Sequence, residues 1–89
     1  MAQDFYITPE NVVSPKSCVS DITILRPGTA GDWSLAKLKW CGMERYAMRW
    51  NGDSTNNGIG NPQSRGVPTW FVLPDQVGSL IESSLNMLN

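Results

Sequence analysis

Residues 33–51, WSLAKLKWCGMERYAMRWN, decide the fold of this chain. Polar and apolar side chains alternate there at the two-residue period of a strand whose successive side chains face opposite ways. The stretch holds Trp33, Trp40 and Trp50 out of 4 tryptophans, and Lys37, Lys39, Arg45 and Arg49 out of 7 basic residues. Two strands, about 33–40 and 45–51, are expected around Cys41-Gly42-Met43-Glu44, where Gly42 takes positive φ without a Cβ clash. With Trp40 opposite Tyr46, Leu38 opposite Met48 and Ala36 opposite Trp50, one face becomes an apolar wall. Lys37, Lys39 and Arg49 then gather on the other face, with Arg45 beside the turn. A one-residue slip would mix lysines with aromatics, and burying an unpaired ammonium group is costly. The separated register is therefore expected, with Trp40, Tyr46, Met48 and Trp50 in the core. The basic face reads in two ways, as the solvated side of a half-buried antiparallel sheet or as a binding surface.

A chain of 89 residues makes one domain with a thin core, burying roughly two thirds of its unfolded surface. The 40% apolar and 17% charged content is that of a globular protein. No apolar run approaches a membrane span, and Met1-Ala2-Gln3-Asp4 lacks the basic start and apolar core of a signal peptide, so the cytoplasm is the expected compartment. With no histidine, the usual metal-ligand sets and the Cys–His and Ser–His nucleophile pairs cannot be built within the chain. Asp32, Asp53 and Asp75 have no spacing that suggests a general acid–base pair, so an enzyme is not expected, and neither is a cofactor or metal. A Cys18–Cys41 disulfide requires neighbouring strands; in a cytosolic protein the two cysteines read instead as small buried hydrophobes.

The formal net charge is −1. Within residues 33–51, Lys37, Lys39, Arg45 and Arg49 face only Glu44, while elsewhere Lys16, Arg26 and Arg65 are outnumbered by acids. A basic sheet face on an acidic body is a segregated pattern.

Residues 1–17 carry Pro9 and Pro15, which interrupt any long ladder, and are expected to form an extended arm that adds at most a short edge strand. Residues 18–89 are then a single domain. Residues 18–26 alternate well enough for a first core strand, ended near Arg26 by the turn chemistry of Pro27 to Asp32. Residues 52–68, GDSTNNGIGNPQSRGVP, are long for a structureless connection, and such loops are either functional or disordered. Gly58-Ile59-Gly60 does not extend to a nucleotide-binding fingerprint, but Arg65 could reach an anionic partner. Thr69 to Leu73 is a continuous apolar run, expected to be a strand buried on both sides or in a dimer. From Pro74 the period changes: Val77, Leu80, Ile81, Ser84, Leu85 and Leu88 make one stripe, and Pro74-Asp75 suits a helix start. Gly78 costs about 1 kcal/mol of helix propensity against alanine, which close packing would explain. The order predicts an α+β domain: a four-stranded antiparallel sheet with one C-terminal amphipathic helix.

This layout resembles the transcriptional-coactivator family that binds single-stranded DNA, including its small bacterial and phage members. The resemblance covers residues 20–88 and rests on Trp33-Ser34-Leu35 opening a strand, Leu38-Lys39-Trp40 ending it, and Tyr46-Ala47-Met48-Arg49-Trp50. Gly66, Leu73-Pro74-Asp75 and the Val77–Leu85 stripe match its glycine, last strand and carboxylate-started helix. The chain differs from that family in its acidic balance, its longer loop before the last strand, and a Gly66 set farther from the helix. The resemblance implies a homodimer through the C-terminal helix and last strand, and a basic, aromatic-dotted sheet surface for unpaired bases. Carried onto this chain, Lys37, Lys39 and Arg49 would meet phosphates and Trp33 would stack on a base; Arg45 beside the turn and Arg65 in the loop are counted with this surface for their charge alone. A different class of function also fits the residues. A small phage or mobile-element module, an inhibitor or adaptor, would bind a protein partner through the Trp70 strand and the glycine-rich loop, since tryptophan and arginine are favoured interface anchors.

Overall fold

Three strands of 8 residues each come first: β1 over Val19–Arg26, β2 over Trp33–Trp40 and β3 over Met43–Trp50. The computed structural model describes residues 5–87. After β3 the chain makes a short turn of 3-10 helix at Ser54–Asn56 and a small hairpin, β4 over Gln63–Ser64 and β5 over Val67–Pro68. The edge strand β6, Phe71–Leu73, and the helix α1, Asp75–Ser84, complete the domain, with a last 3-10 turn over Leu85–Met87. The main sheet has the antiparallel order β1-β2-β3-β6, and β4-β5 forms a separate two-stranded sheet. The architecture is α+β, a four-stranded antiparallel sheet with one C-terminal helix, as the residue pattern predicts.

The register of the central hairpin differs from the expected one. The loop is the two residues Cys41-Gly42, both at positive φ, and pairing resumes at Met43. Trp40 therefore faces Met43, Leu38 faces Arg45, Ala36 faces Ala47 and Trp33 faces Trp50. The expected Trp40–Tyr46 pairing is out by three residues, which exchanges the partners across the strands. Trp33, Leu35, Lys37 and Lys39 now share a face with Trp50, Met48, Tyr46 and Glu44. Mixing lysines with aromatics is costly only where the shared face is buried throughout. Here α1 covers only part of that face, and Lys37 and Lys39 stay exposed.

The opposite face carries the core. Ala36, Leu38 and Ala47 cluster there with Val12, Val19 and Trp70, and Ile7, Ile22, Ile24 and Trp40 pack against them. Of the four residues expected together in the core, only Trp40 joins this cluster; Tyr46 and Met48 lie on the helix side, and Trp50 is 55% exposed. The cover over the core is the N-terminal segment. Among its described residues it forms no strand but a 3-10 turn at Pro9–Asn11, with Pro9 and Val12 buried. It is tied down where the Trp70 indole N–H donates to Val12 O at 2.9 Å, the Thr69 hydroxyl to Ser14 O at 2.8 Å, and Ile7 N–H to Gly58 O at 2.9 Å. Trp70 is buried by this packing, while its neighbours Phe71 and Val72 are exposed on an edge strand, not buried on both sides as their apolar run suggested.

Two further features depart from expectation. Cys18 and Cys41 are joined in a disulfide, because Val19 pairs with Trp40 and brings the turn beside the start of β1. Closing a loop with a sequence separation of 23 stabilises a fold by about 3 kcal/mol. The 52–68 stretch, in turn, is built structure. Asn61 bridges Trp50 in the lane beside β3, and Phe71 pairs with Met48 in the same lane. Two positions on β3 are thus spanned by ten on the partner side, so eight residues, 62–69, leave the lane as a projecting hairpin. Among the described residues no helix is long and apolar enough to cross a membrane.

The helix begins at Asp75, as Pro74-Asp75 predicts, and lies on β3 through Gly78. Ile81 and Leu85 are half-buried, but Val77 and Leu80 of the same stripe are exposed; Leu88 lies outside the described residues. A Cβ at Gly78 would fall onto the Tyr46 ring. Gly78→Ala gains about 1 kcal/mol of helix propensity but forces overpacking that costs about 1–3 kcal/mol. The expected outcome is a net loss, read as a lower urea midpoint and a fall in Tm of several degrees. A more stable variant would show that the helix does not rest on Tyr46.

Candidate nucleic-acid interface

The helix-side face changes character along β2 and β3. At the hairpin-turn end stand Lys37, Lys39, Tyr46 and Glu44; at the other end stand Trp33, Leu35, Met48 and Trp50. Alternation puts these side chains on one face, and α1 separates their surroundings by covering Tyr46.

At the charged end the cations already have company. Lys39 Nζ lies 3.4 Å from Asp21 Oδ2, and Arg45 Nη1 lies 3.8 Å from Asp75 Oδ2 at the start of the helix. Lys37 Nζ sits over the Tyr46 ring, 5.2 Å from its centroid. A polar groove runs between Lys37, Glu44, Arg45, Tyr46, Asp75 and Ser79. These pairs are exposed or half-exposed, and such pairs contribute about 0–1 kcal/mol, so an incoming anion displaces a carboxylate at little cost. The Tyr46 hydroxyl donates to Glu82, and that carboxylate and burial raise the phenol above its usual range. Since the shift favours the neutral phenol, this contribution to helix docking is present below the ordinary tyrosine range and fades as pH rises through the shifted value.

At the apolar end an open groove of roughly 480 Å³ is lined by Trp33, Met48, Arg49, Trp50, Phe71 and Ile81. Phe71 is 56% exposed, so two of the aromatic rings along it, Trp50 and Phe71, are largely open to solvent. Trp33 is held more firmly. The Arg26 guanidinium stacks 3.9 Å from its ring centroid and donates to its carbonyl oxygen, and also pairs with Asp32 at 3.0 Å. Asp32 accepts from Trp33 N–H at 2.8 Å, and that bond, followed by the one from Arg26, holds its carboxyl below the usual carboxylate range. One face of the Trp33 ring is therefore taken from within the chain.

The residues expected at a binding surface thus separate. Trp33, Lys37 and Lys39 share one row of β2, and Arg45 adjoins them across the polar groove. Arg65 is elsewhere, at the tip of the β4–β5 hairpin. Arg49 does not belong to the surface: it is 1% exposed, on the core side of β3. Its guanidinium donates to the carbonyls of Ile59, Pro62 and Thr69. Burial pushes its pKa down to about 10, which still leaves it charged at neutral pH. The next buried polar residue, Asn51, does a similar thing for the β1–β2 connection, donating to Pro27 O and Thr29 O at 2.9 and 3.0 Å while its side-chain oxygen accepts from Ser34. Sequence reasoning missed Arg26 on Trp33 and the open ring of Trp50. The only available signals were the Arg26 that ends β1 and the Asn51-Gly52 that ends β3 directly after Trp50.

No protein-family model matches the chain, and comparison with curated proteins and with solved structures gives no match either.

Removing the Arg49 guanidinium leaves the Ile59 and Thr69 carbonyls without a donor, while Pro62 O keeps Thr69 N–H, and an unsatisfied buried group costs about 1–3 kcal/mol. Arg49→Met is expected to lower unfolding stability by about 3 kcal/mol or more and to increase hydrogen exchange in residues 59–69. Lys37→Met is expected to stay within about 0.5 kcal/mol of the parent. Chemical denaturation of the two variants checks both; an Arg49→Met protein as stable as the parent would return Arg49 to the surface.

Proposed function

We propose that this chain is a non-catalytic, homodimeric binding protein for single-stranded nucleic acid, working on the helix-side face of its sheet. The observation that carries the reading is the row Trp33, Leu35, Lys37, Lys39: one strand presents an aromatic residue and two exposed ammonium groups on a face that the helix leaves partly open. From Trp33 to Lys37 is about 13 Å along the strand, a reach that suits consecutive units of an extended polymer better than one small ligand. One phosphate takes the place of Asp21 on Lys39 and another meets Lys37, each contact releasing counterions. Bases stack on rings at the apolar end, where Trp50 and Phe71 offer open faces while Arg26 occupies one side of Trp33. The reading also draws on the layout that carries the coactivator resemblance, four antiparallel strands followed by one helix. The cytoplasm remains our assignment of compartment, and there cellular thiols would meet the Cys18–Cys41 bond through Cys41, the more exposed of the two.

A second reading, association with a protein, is supported by a separate observation. Leu80 is 70% exposed, and Val77, Trp50 and Phe71 are exposed as well, side chains of the kind that mark interaction sites when they lie together. In the proposed function Val77 and Leu80 of the helix, with Val72 of the last strand, pair two copies and leave Trp50 and Phe71 to the bases; an inhibitor or adaptor would use the whole surface for a different protein. Trp70, expected to be an anchor for such a partner, is interior and cannot serve.

Lys37→Glu with Lys39→Glu is expected to weaken binding of a labelled single strand of about 20 nucleotides at least tenfold at moderate salt, to flatten the salt dependence, and to leave Tm unchanged. Fluorescence anisotropy against the matched duplex is the measurement; unchanged affinity would remove this row from the site. Leu80→Glu is expected to convert a dimer to a monomer in sedimentation equilibrium. A parent chain that is monomeric at all concentrations would sink the dimer and leave the apolar surface to another protein.

A further inference from the structure

Three places in this chain turn on the same pattern, a residue and then a glycine, both at positive φ: Cys41-Gly42 at 53° and 85°, Asn57-Gly58 at 58° and 76°, and Arg65-Gly66 at 54° and 80°. Asparagine, aspartate or glycine suits the first position of such a turn, because a longer side chain meets its own carbonyl in the left-handed region. Cys41 is accounted for by its bond to Cys18. Arg65 is accounted for by nothing within the chain: among the described residues its guanidinium makes no ion pair and no hydrogen bond, and it is exposed.

The hairpin that carries Arg65 adds nothing to the core. Gln63, Ser64, Arg65, Gly66 and Val67 are all exposed. Its root, by contrast, is fixed. The Arg49 guanidinium donates to Pro62 O and Thr69 O, the two feet of the excursion, and Thr69 N–H donates to Pro62 O at 3.0 Å. Near the tip, Gly66 N–H donates to the Gln63 side chain at 2.6 Å. A fully buried guanidinium, with its Nε left unpartnered, thus holds the root of a hairpin whose residues 63–67 are all exposed. The surroundings favour anions as well. No aspartate or glutamate occurs between Asp53 and Asp75, whereas Lys39 and Arg45 each have a carboxylate in reach. The excursion leaves the sheet edge between the positions opposite Trp50 and Met48, two residues that line the apolar groove.

We propose that residues 62–69 are a preorganised finger whose tip, Arg65, grips a phosphate of the bound strand, with Arg49 as the positioning residue at its root. The assignment rests on the single-strand reading above and adds a second contact to it, apart from the lysine row. Because the root is rigid, the contact is made without ordering a loop, so the cost of immobilising a flexible segment on binding is avoided.

The test is a salt series of anisotropy titrations with a labelled oligothymidylate of about 20 nucleotides, using the full chain and the variants Arg65→Ala, Arg65→Lys and Lys37→Glu/Lys39→Glu. Arg65→Ala is expected to weaken binding about fivefold at moderate salt and to reduce the slope of log affinity against log salt by about 1. Arg65→Lys is expected to restore that slope, and neither variant to change Tm, since the exposed Arg65 side chain makes no hydrogen bond or ion pair among the described residues. Parent-like affinity and slope in Arg65→Ala, with binding lost in the lysine double variant, would overturn the finger and leave the single-strand reading standing. A loss that Arg65→Lys does not recover would also overturn it, by showing a role in the turn and not in charge. No binding of oligothymidylate by the parent chain at any salt would overturn the single-strand reading and the finger with it. Arg65-dependent binding of polyglutamate in its place would move the tip to an acidic protein.

Discussion

Closing the central hairpin over two residues instead of four is the constraint from which most of this structure follows. The short Cys41-Gly42 turn sets Trp40 against Met43, and every pair after it is then fixed by the ladder. Arg49 falls on the covered side of β3 as a result, where a charge is tolerable only if its donors are matched. The carbonyls of Ile59, Pro62 and Thr69 supply that match, and in doing so they bind a long polar connection to the sheet. Asn51, at the end of the same strand, binds the β1–β2 connection in the same way. The two irregular loops are therefore held by one strand, through polar residues that an apolar core would not have needed.

The same register gives the helix-side face its two ends. Tyr46 and Met48 lie where the helix crosses, and Gly78 lets it approach closely enough for the Tyr46 hydroxyl to reach Glu82. What the helix does not cover is left as lysines at one end and aromatic rings at the other. Neither end would be a natural product of stability alone. Exposed ion pairs such as Lys39–Asp21 add little, and exposed rings such as Trp50 and Phe71 forfeit burial that a small domain can use.

What could be read from the residues was whatever depends on local period and turn chemistry. The change from a two-residue to a three- and four-residue period at Pro74 locates the helix, and Pro27-Gly28 ends β1, so the α+β class and the order of elements were legible. The register was not, because alternation says which residues of one strand share a face but not which residue of the next strand stands opposite. The turn Cys41-Gly42 gave no help, since cysteine is a poor residue for the first position and is held there by a bond to a residue 23 positions away. Arg49 was misread for a related reason: its partners are backbone carbonyls of a distant loop, and carbonyls leave no trace in a pattern of side chains. The eight-residue excursion was hidden likewise, because Asn61 and Phe71 occupy one lane that the sequence interrupts.

The balance of charge has a consequence for how such a surface can work. With a net charge of −1 the chain has little long-range field to draw in a polyanion, so encounter is not steered from a distance. Contact must then be made favourable locally, by cations that meet a phosphate at close range and by rings that stack. The exchange is nearly neutral for Lys39, which gives up a carboxylate to make it, and more favourable for a cation that starts unpaired. Stacking, at about 1–3 kcal/mol per base, would add to what the cations supply. On the proposed reading, the rings at the apolar end and the cations of the lysine row would share the holding of a strand.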